Sequence, residues 1–308
     1  MDEDIPEEAM TESLIVRAAT QADRARVLQI SSQIWDGEDY VPELLDDWYA
    51  DAAGEFVVAA LDGEVIGFAH RTWLYAGLAW FEGIRTDPAF QGRGAGRAIT
   101  DHLIATATRD GAQQIVLSTH IDNKASIHIL ESYGFKRQAS FFFLERASNA
   151  PIVAAKVGAP GIEALSADEF RGFVATSPAL DLGARWFSRG WKFFPFDLDP
   201  QEAVARLEYR IGLRNNDELA AVLAIRQPQG GPWITINFLD GDPDLLSKLI
   251  SHALADYRGS SLGVMVPVRD EVSAAALEPL KAAGFTSWTG FVPDVFVYTL
   301  DLSRKSSG

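Results

Sequence analysis

The segment from Leu78 to Arg109 constrains the fold more than any other part of this 308-residue chain. Leu78 to Thr86 is an apolar run of strand character, and Asp87-Pro88 ends it. Gly92, Gly94 and Gly96 then alternate with Arg93, Ala95 and Arg97 where a helical segment from Gly94 to Arg109 opens. A helix entered through glycines leaves its first backbone N–H groups unpaired, and the helix dipole and the two arginines add positive potential there. The pattern predicts a cradle for a pyrophosphate, with glycine keeping Cβ atoms out of the ligand's way. Two other phosphate motifs do not fit. Gly96 is followed by Arg97-Ala98 where a Walker A loop needs Lys and Ser or Thr, and the glycines recur every second residue where a dinucleotide fingerprint needs G-x-G-x-x-G.

The spacing Gln91-x-x-Gly94-x-Gly96 resembles the acyl-CoA-binding signature of the GNAT superfamily of N-acetyltransferases. The resemblance implies an α+β acyl-CoA N-acyltransferase fold with a mixed central sheet and acetyl-CoA as co-substrate, without a metal. It assigns Gln91, Gly92, Arg93, Gly94, Ala95, Gly96 and Arg97 to the CoA pyrophosphate. Ile84, Arg85 and Thr86 go to the strand that pairs with the pantetheine arm, one N–H polarising the thioester carbonyl. Asn123 and Ser126, after the other splayed strand, are further CoA contacts, although Asp122-Asn123 also reads as a helix start.

The order of elements agrees. After an acidic tail (1–12), Leu14 to Arg17 reads as a strand, Gln21 to Trp35 and Pro42 to Asp51 as helices, and Glu55 to Leu61 and Glu64 to Leu74 as a hairpin through Asp62-Gly63. Gln114 to His120 (strand), Lys124 to Tyr133 (helix) and Lys136 to Glu145 (closing strands) complete a first domain, 13–147. A linker rich in Ala, Pro and Gly, 148–161, leads to a second domain, 162–303, that echoes the first. Gly134-Phe135 recurs as Gly284-Phe285, and Leu130, Ile127 and Ala125 match Leu280, Leu277 and Ala275. The helix Asp242 to Tyr257, the strand Ser261 to Val268 and the helix Val272 to Ala283 continue the echo. In that copy the glycines are replaced by Asp240-Gly241-Asp242-Pro243-Asp244, whose carboxylates suit capping and repel a pyrophosphate. The fold expected is therefore two tandem domains, the second degenerate.

Composition narrows the partners. The formal charge of −16 disfavours nucleic acid and anionic membranes, no apolar run reaches the roughly 18 residues of a span, and the acidic N-terminus does not suit a targeting peptide. The absence of Cys excludes thiolate catalysis, and five histidines show no metal-ligand spacing. A cytoplasmic enzyme with a small-molecule amine acceptor is expected, its oligomeric state open.

Three residues are candidates for the chemistry. Glu82 interrupts an apolar strand and is a general base or else the partner of Arg85 or Arg71. His120 is a second possible base or a surface histidine. Where the family commonly carries Tyr as the acid for the leaving thiolate, this chain has Leu130. Tyr133, one turn later, is either that acid or a packing residue. Asp39-Tyr40-Val41-Pro42 with Trp48, and Glu82-Gly83-Ile84-Arg85, resemble the histidine N-acetyltransferase-like branch, which implies an amino-acid acceptor with Arg85 as its carboxylate clamp. Trp73, Tyr75, Trp80 and Tyr40 would wall the pocket or fill the core. Trp186 to Phe196 is expected to pack between the halves or to form a lid. The alternatives to a small-molecule enzyme are a non-catalytic acyl-CoA sensor and a protein or peptide N-acetyltransferase.

Overall fold

The computed structural model describes residues 13–150, 161–226 and 233–303. The expected acidic tail and most of the expected linker lie outside the described residues. The chain forms two compact units that do not follow the sequence halves. One holds the chain up to Val116 with Glu131–Gly134 and the segment from Leu300; the other holds Leu117–Leu130 and Phe135–Thr299.

The first unit runs β1 (Leu14–Ala18), α1 (Arg24–Ser31), α2 (Val41–Ala50), β2 (Glu55–Leu61), β3 (Glu64–Tyr75), β4 (Leu78–Thr86), α3 (Ala95–Arg109) and the opening of β5 (Gln114–His120). β1 to β4 form an antiparallel meander. Asp62 and Gly63, at φ 49° and 88°, make the tight turn expected of an Asp-Gly pair. β5 joins parallel to β4 over Leu78–Trp80 and Gln114–Val116. Ile99, Leu103 and Ala107, spaced for one helix face, are fully buried on α3. Val27, Ile30, Val41, Leu45 and Trp48 of α1 and α2 pack with Phe56, Val58 and Phe68 of β2 and β3. The helix expected over Gln21 to Trp35 is interrupted. A 3-10 turn at Gln21–Asp23 precedes α1, and α1 ends at Ser31 before Trp35 and Asp36 turn to positive φ.

The second unit contains most of α4 (Lys124–Ser132), then β6 (Lys136–Arg146), β7 (Glu163–Ala164), α5 (Ala167–Ala175), α6 (Pro178–Leu182), β8 (Trp186–Arg189), β9 (Lys192–Pro195) and α7 (Pro200–Ala203). It continues through β10 (Tyr209–Asn215), β11 (Glu218–Arg226), β12 (Trp233–Gly241), α8 (Pro243–Asp256), β13 (Ser261–Arg269), β14 (Val272–Ser273), α9 (Leu277–Ala282) and β15 (Val295–Asp301). Its strands lie in the order β15-β6-β13-β12-β11-β10-β7.

Two expectations are corrected here. Lys136 to Glu145 is one long strand, and its neighbours are β13 and β15 from the far end of the chain. The consecutive buried side chains Phe141 to Leu144 require both faces of the strand to be covered, which a central position supplies. The helix expected from Val272 shrinks to α9, because Asp270 and Glu271 adopt positive φ and turn the chain back so that Val272 pairs with Arg269. The aromatic cluster Trp186 to Phe196 is the β8–β9 hairpin, with Phe187 stacked on Phe238 of β12 (5.5 Å) and Phe193 against Phe141 of β6 (4.8 Å), so within the second unit it packs between strands of the two sequence halves, as the first of the two expectations has it, and is no lid. No helix among the described residues is long and apolar enough to cross a membrane.

Candidate active site

The parallel ladder of β4 with β5 covers Leu78 to Trp80 and, among the described residues, runs no further towards Thr86. The other edge stays paired to β3 but carries a bulge, with Gly83 and Ile84 opposite the single residue Ala69. Gly83 has φ +63°, and a Cβ there would meet Trp48 Cη2 at 2.1 Å, so glycine is required on both counts. The parity argument that puts Glu82 and Ile84 on one face crosses this bulge, so contacts decide their placement instead.

Asp87 fixes where the strand ends. Its carboxylate, 2% exposed, accepts from Ala89 N–H (2.8 Å) and from Arg26 (2.6 Å), and its own N–H bonds Ile66 C=O. Beyond Pro88–Phe90 the chain enters α3 through Gly94 in the left-handed region (φ +85°) with no side-chain cap and no acidic residue in the first turn. The first intrahelical bond runs from Ala98 N–H to Gly94 C=O. The N–H groups of Ala95, Gly96 and Arg97 therefore face outward as an anion site. A Cβ at Gly94 would touch only Leu14, at 3.7 Å. Gln91, Gly92, Arg93 and Arg97 are exposed around this helix end. The uncapped glycine entry to a helix expected from the sequence is present, and its chemistry fits a pyrophosphate.

Glu82 is 9% exposed at its side chain. Its Oε2 accepts from Trp80 Nε1 (3.0 Å), and its Oε1 lies 3.1 Å from His70 Nδ1. The alternative partners named from the sequence are engaged elsewhere. Arg71 bonds Asp110 at 2.8 Å, and Arg85 makes a two-pronged pair with Asp39 (3.2 and 2.9 Å). Asp39 in turn accepts from Ser31 (2.9 Å). Trp35 and Tyr40 cover the Arg85 guanidinium at 4.5 and 5.4 Å. Its charge is already matched by a buried carboxylate, which removes the expected clamp for a substrate carboxylate. Burial pushes the Tyr40 hydroxyl up to about 12 despite the neighbouring Arg85, so it is a neutral donor in this cluster. Trp80 is buried beside Glu82, and Trp73 lies under Arg71 (5.2 Å). Tyr133 is half-buried next to α3, its hydroxyl 3.5 Å from Arg97 C=O. Burial and a hydrogen bond to Asp101 raise its pKa, which keeps the hydroxyl protonated.

His120, Asn123 and Ser126 belong to the second unit. His120 Nδ1 accepts the Asp122 N–H (3.2 Å), and Nε2 is 3.9 Å from the buried Asp294. Asn123 C=O accepts Ile127 N–H at the start of α4, and Leu130 is buried. Ser118 Oγ donates to Trp191 C=O and Asp122 lies in the turn beyond β5, so Ser118, His120 and Asp122 are not a catalytic triad.

Sequence reasoning missed His70, Asp51 and Asp87. His70 breaks the apolar run Val65–Ala69 just as Glu82 breaks its own strand. Counting outward from the turn at Tyr75–Leu78 would set Arg71 opposite Glu82; an irregularity between Trp73 and Tyr75 shifts the register by one and brings His70 there, so polarity flags His70 without naming its partner.

The same part of the chain is the part that known proteins share. The acetyltransferase (GNAT) family model matches residues 23–135. Over 133 residues the chain is 31% identical to the N-alpha-acetyltransferase RimI of Mycobacterium tuberculosis, covering 42% of this chain and 82% of that protein. Over 114 residues it is 34% identical to a mycothiol acetyltransferase of Geodermatophilus obscurus, covering 34% of this chain but only 35% of that one. In fold, a tandem GNAT protein from the clavulanic acid biosynthesis pathway aligns over 94% of this chain and 98% of its own, with a TM-score of 0.60 at 13% identity. With the uncapped glycine entry, the element order and these relatives in agreement, the chain belongs to the GNAT family of acetyltransferases, and its fold aligns over nearly its whole length with that of a tandem GNAT protein.

Proposed function

We propose that the first unit transfers the acetyl group of acetyl-CoA to a primary amine of a small molecule by direct attack. The observation that carries this reading is the single stretch that joins a buried, doubly held carboxylate on β4 to an uncapped glycine helix entry at α3. Gln91 to Arg97 bind the pyrophosphate, and the edge of β4 at Ile84, Arg85 and Thr86 pairs with the pantetheine arm. Acetyl-CoA supplies the activated acyl group. Glu82 takes the proton of the ammonium, so that the neutral amine attacks. The Tyr133 hydroxyl stays protonated, but it meets Arg97 at the pyrophosphate end of the site, which supports its packing role rather than proton donation to the departing thiolate. No covalent enzyme intermediate is required in a chain without Cys.

The net charge of −16 favours a cationic acceptor. A free amino acid would need a cation other than Arg85 for its carboxylate, since Asp39 occupies that one. A second reading, with a protein N-terminal amine as acceptor, is supported by the alignment with RimI, whose name states N-alpha transfer.

The test follows release of CoA thiol from acetyl-CoA with a panel of amino acids, polyamines, aminoglycosides and short peptides. Acceptor-dependent release that Glu82→Gln lowers on the order of 10²-fold or more supports the reading. Undiminished turnover in Glu82→Gln removes Glu82 from the mechanism. Acetyl-CoA binding without turnover on any amine would favour the sensor.

A further inference from the structure

Behind Glu82 stands a group of side chains to which the transfer reaction gives no role. His70 lies directly across from Glu82 in the β3–β4 ladder, its side chain 3% exposed. Nδ1 is 3.1 Å from Glu82 Oε1, and Nε2 is 3.3 Å from Asp51 Oδ2. Nε2 is buried and makes no aligned hydrogen bond. Trp48 of α2 stacks on the ring, centroids 5.0 Å apart and planes 15° apart, so the imidazole is held in one orientation. Its strand neighbour Arg71 is engaged by Asp110 and lies 3.6 Å from Glu55.

The valence of this cluster is unusual. Burial works against the Asp51 charge, yet hydrogen bonds from Thr72 and Gly54, with His70 and Ala53, outweigh it and hold the group below the ordinary carboxylate range. An ionised carboxylate only accepts, whereas a neutral imidazole offers one donor and one acceptor. With a carboxylate oxygen at each ring nitrogen, either neutral tautomer sets a nitrogen lone pair against an oxygen lone pair. The imidazolium ion donates to Glu82 from Nδ1 and sets its positive charge 3.3 Å from Asp51 Oδ2 at Nε2, an ion pair without an aligned hydrogen bond.

We propose that His70 is a positioning residue protonated on both ring nitrogens. Its Nδ1–H, together with Trp80 Nε1–H, holds Glu82 ionised and fixed for proton abstraction, while Asp51 braces the ring at Nε2. The proposal rests on Glu82 being the base. In the abstraction step an ammonium N–H bond breaks, its electron pair stays on nitrogen, and an O–H bond forms on Glu82; His70 keeps both of its protons. Two charge-assisted donors on one carboxylate favour its ionised form in a buried setting.

Nitrogen NMR of the full chain, labelled at its five histidines and assigned with His70→Gln, tests this near neutral pH. In the wild type both His70 nitrogens are expected to be protonated. In Glu82→Gln, Trp80 Nε1–H still requires an oxygen, so the new amide N–H₂ faces Nδ1. Nδ1 is then expected to lose its proton. In Asp51→Asn, a change at a carboxylate 21% exposed that is available if His70→Gln does not fold, Nε2 is expected to lose its proton instead. A bare Nδ1 in the wild type, or an Nδ1 signal unchanged by Glu82→Gln, overturns the proposal. In turnover, His70→Gln should lower kcat on the order of 10²-fold with KM for acetyl-CoA unchanged. Loss confined to KM counts against it. If Glu82→Gln keeps full activity the base reading fails, whereas an inactive Glu82→Gln beside a fully active His70→Gln sinks the positioning role alone.

Discussion

At the end of β4 the chain uses the whole of residues 87–94 to enter α3; at the end of β12 it uses Asp242 alone to enter α8. The first junction turns through Gly92 and Gly94, both at positive φ, and leaves the helix start uncapped. At the second, the Asp242 side chain accepts from the N–H groups of Asp244 and Leu245 (3.0 and 3.2 Å), with Pro243 and Asp244 in the first turn. Both strands carry a bulge one turn earlier, Gly83 and Ile84 in β4 and Asn237 in β12. In both, the parallel ladder to the next strand ends early, at Trp80–Val116 and at Ile236–Val264. Around the end of β12, however, α6 and β8 supply the packing. Buried Asp240 accepts from Ser177 Oγ and Ala179 N–H, and Phe187 stacks on Phe238. The duplicated scaffold is kept while the features that would receive an anionic ligand are replaced by self-satisfying contacts. Ligand capacity and local stability compete for the same backbone N–H groups.

The most direct way to break the comparison is to give the first junction the residue of the second. Gly94→Asp places a carboxylate where the pyrophosphate is to bind, and its own oxygens can cap the N–H groups that would hold it. Acetyl-CoA affinity measured by calorimetry should fall about 100-fold or more, equivalent to about 2.7 kcal/mol, with some loss of melting temperature because residue 94 sits at φ +85°. Unchanged affinity would mean that α3 does not hold the CoA. The converse substitution is milder. Asp242→Ala uncaps α8 and should cost about 1 kcal/mol of stability, leaving the stoichiometry at one acetyl-CoA per chain. A second binding event would show that the cap alone closes the second copy.

How much of this was legible follows from the range of each interaction. The Asp62-Gly63 hairpin, the glycine entry to α3 and the Asp242 cap are local, set by residues within a few positions, and the sequence states them directly. Pairings across the chain are not. Nothing near Phe141 says that its neighbours are Pro267 and Val295, because a strand of buried side chains accepts any partner of matching length. Glu82 could be flagged by its polarity, but its partner depends on antiparallel register and on the irregularity between Trp73 and Tyr75. The reading of Arg85 as a clamp failed for the same reason, since Asp39 lies far away in sequence and reaches it only through the fold.

The smallest effect contrasts two buried aspartates, one in each unit. Asp23, hydrogen-bonded by Arg17 and further by Thr20, is held down at about 2 against the pull of burial. A depressed carboxylate contributes stability that is complete above the ordinary value of 3.8 and disappears as pH falls towards about 2. Asp294, fully buried, is shifted the other way. Burial raises it, although the Phe143 N–H, His120 and Thr289 favour its charge. A raised carboxylate contributes stability that is complete below 3.8 and is lost as pH rises through its folded value. In Asp294→Asn the amide oxygen can still accept from Phe143 N–H, and the Thr289 hydroxyl can donate to Val292 C=O, so the hydrogen bonds survive the loss of charge. Thermal unfolding of wild type, Asp23→Asn and Asp294→Asn across this range should therefore give opposite slopes. The deficit of Asp23→Asn should shrink as the solution is acidified below 3.8, whereas Asp294→Asn should gain on the wild type as the pH is raised towards neutrality. Parallel slopes would mean that Asp294 is ionised at no cost. The second unit would then be using its buried charge as the first uses Asp23, to tie elements together.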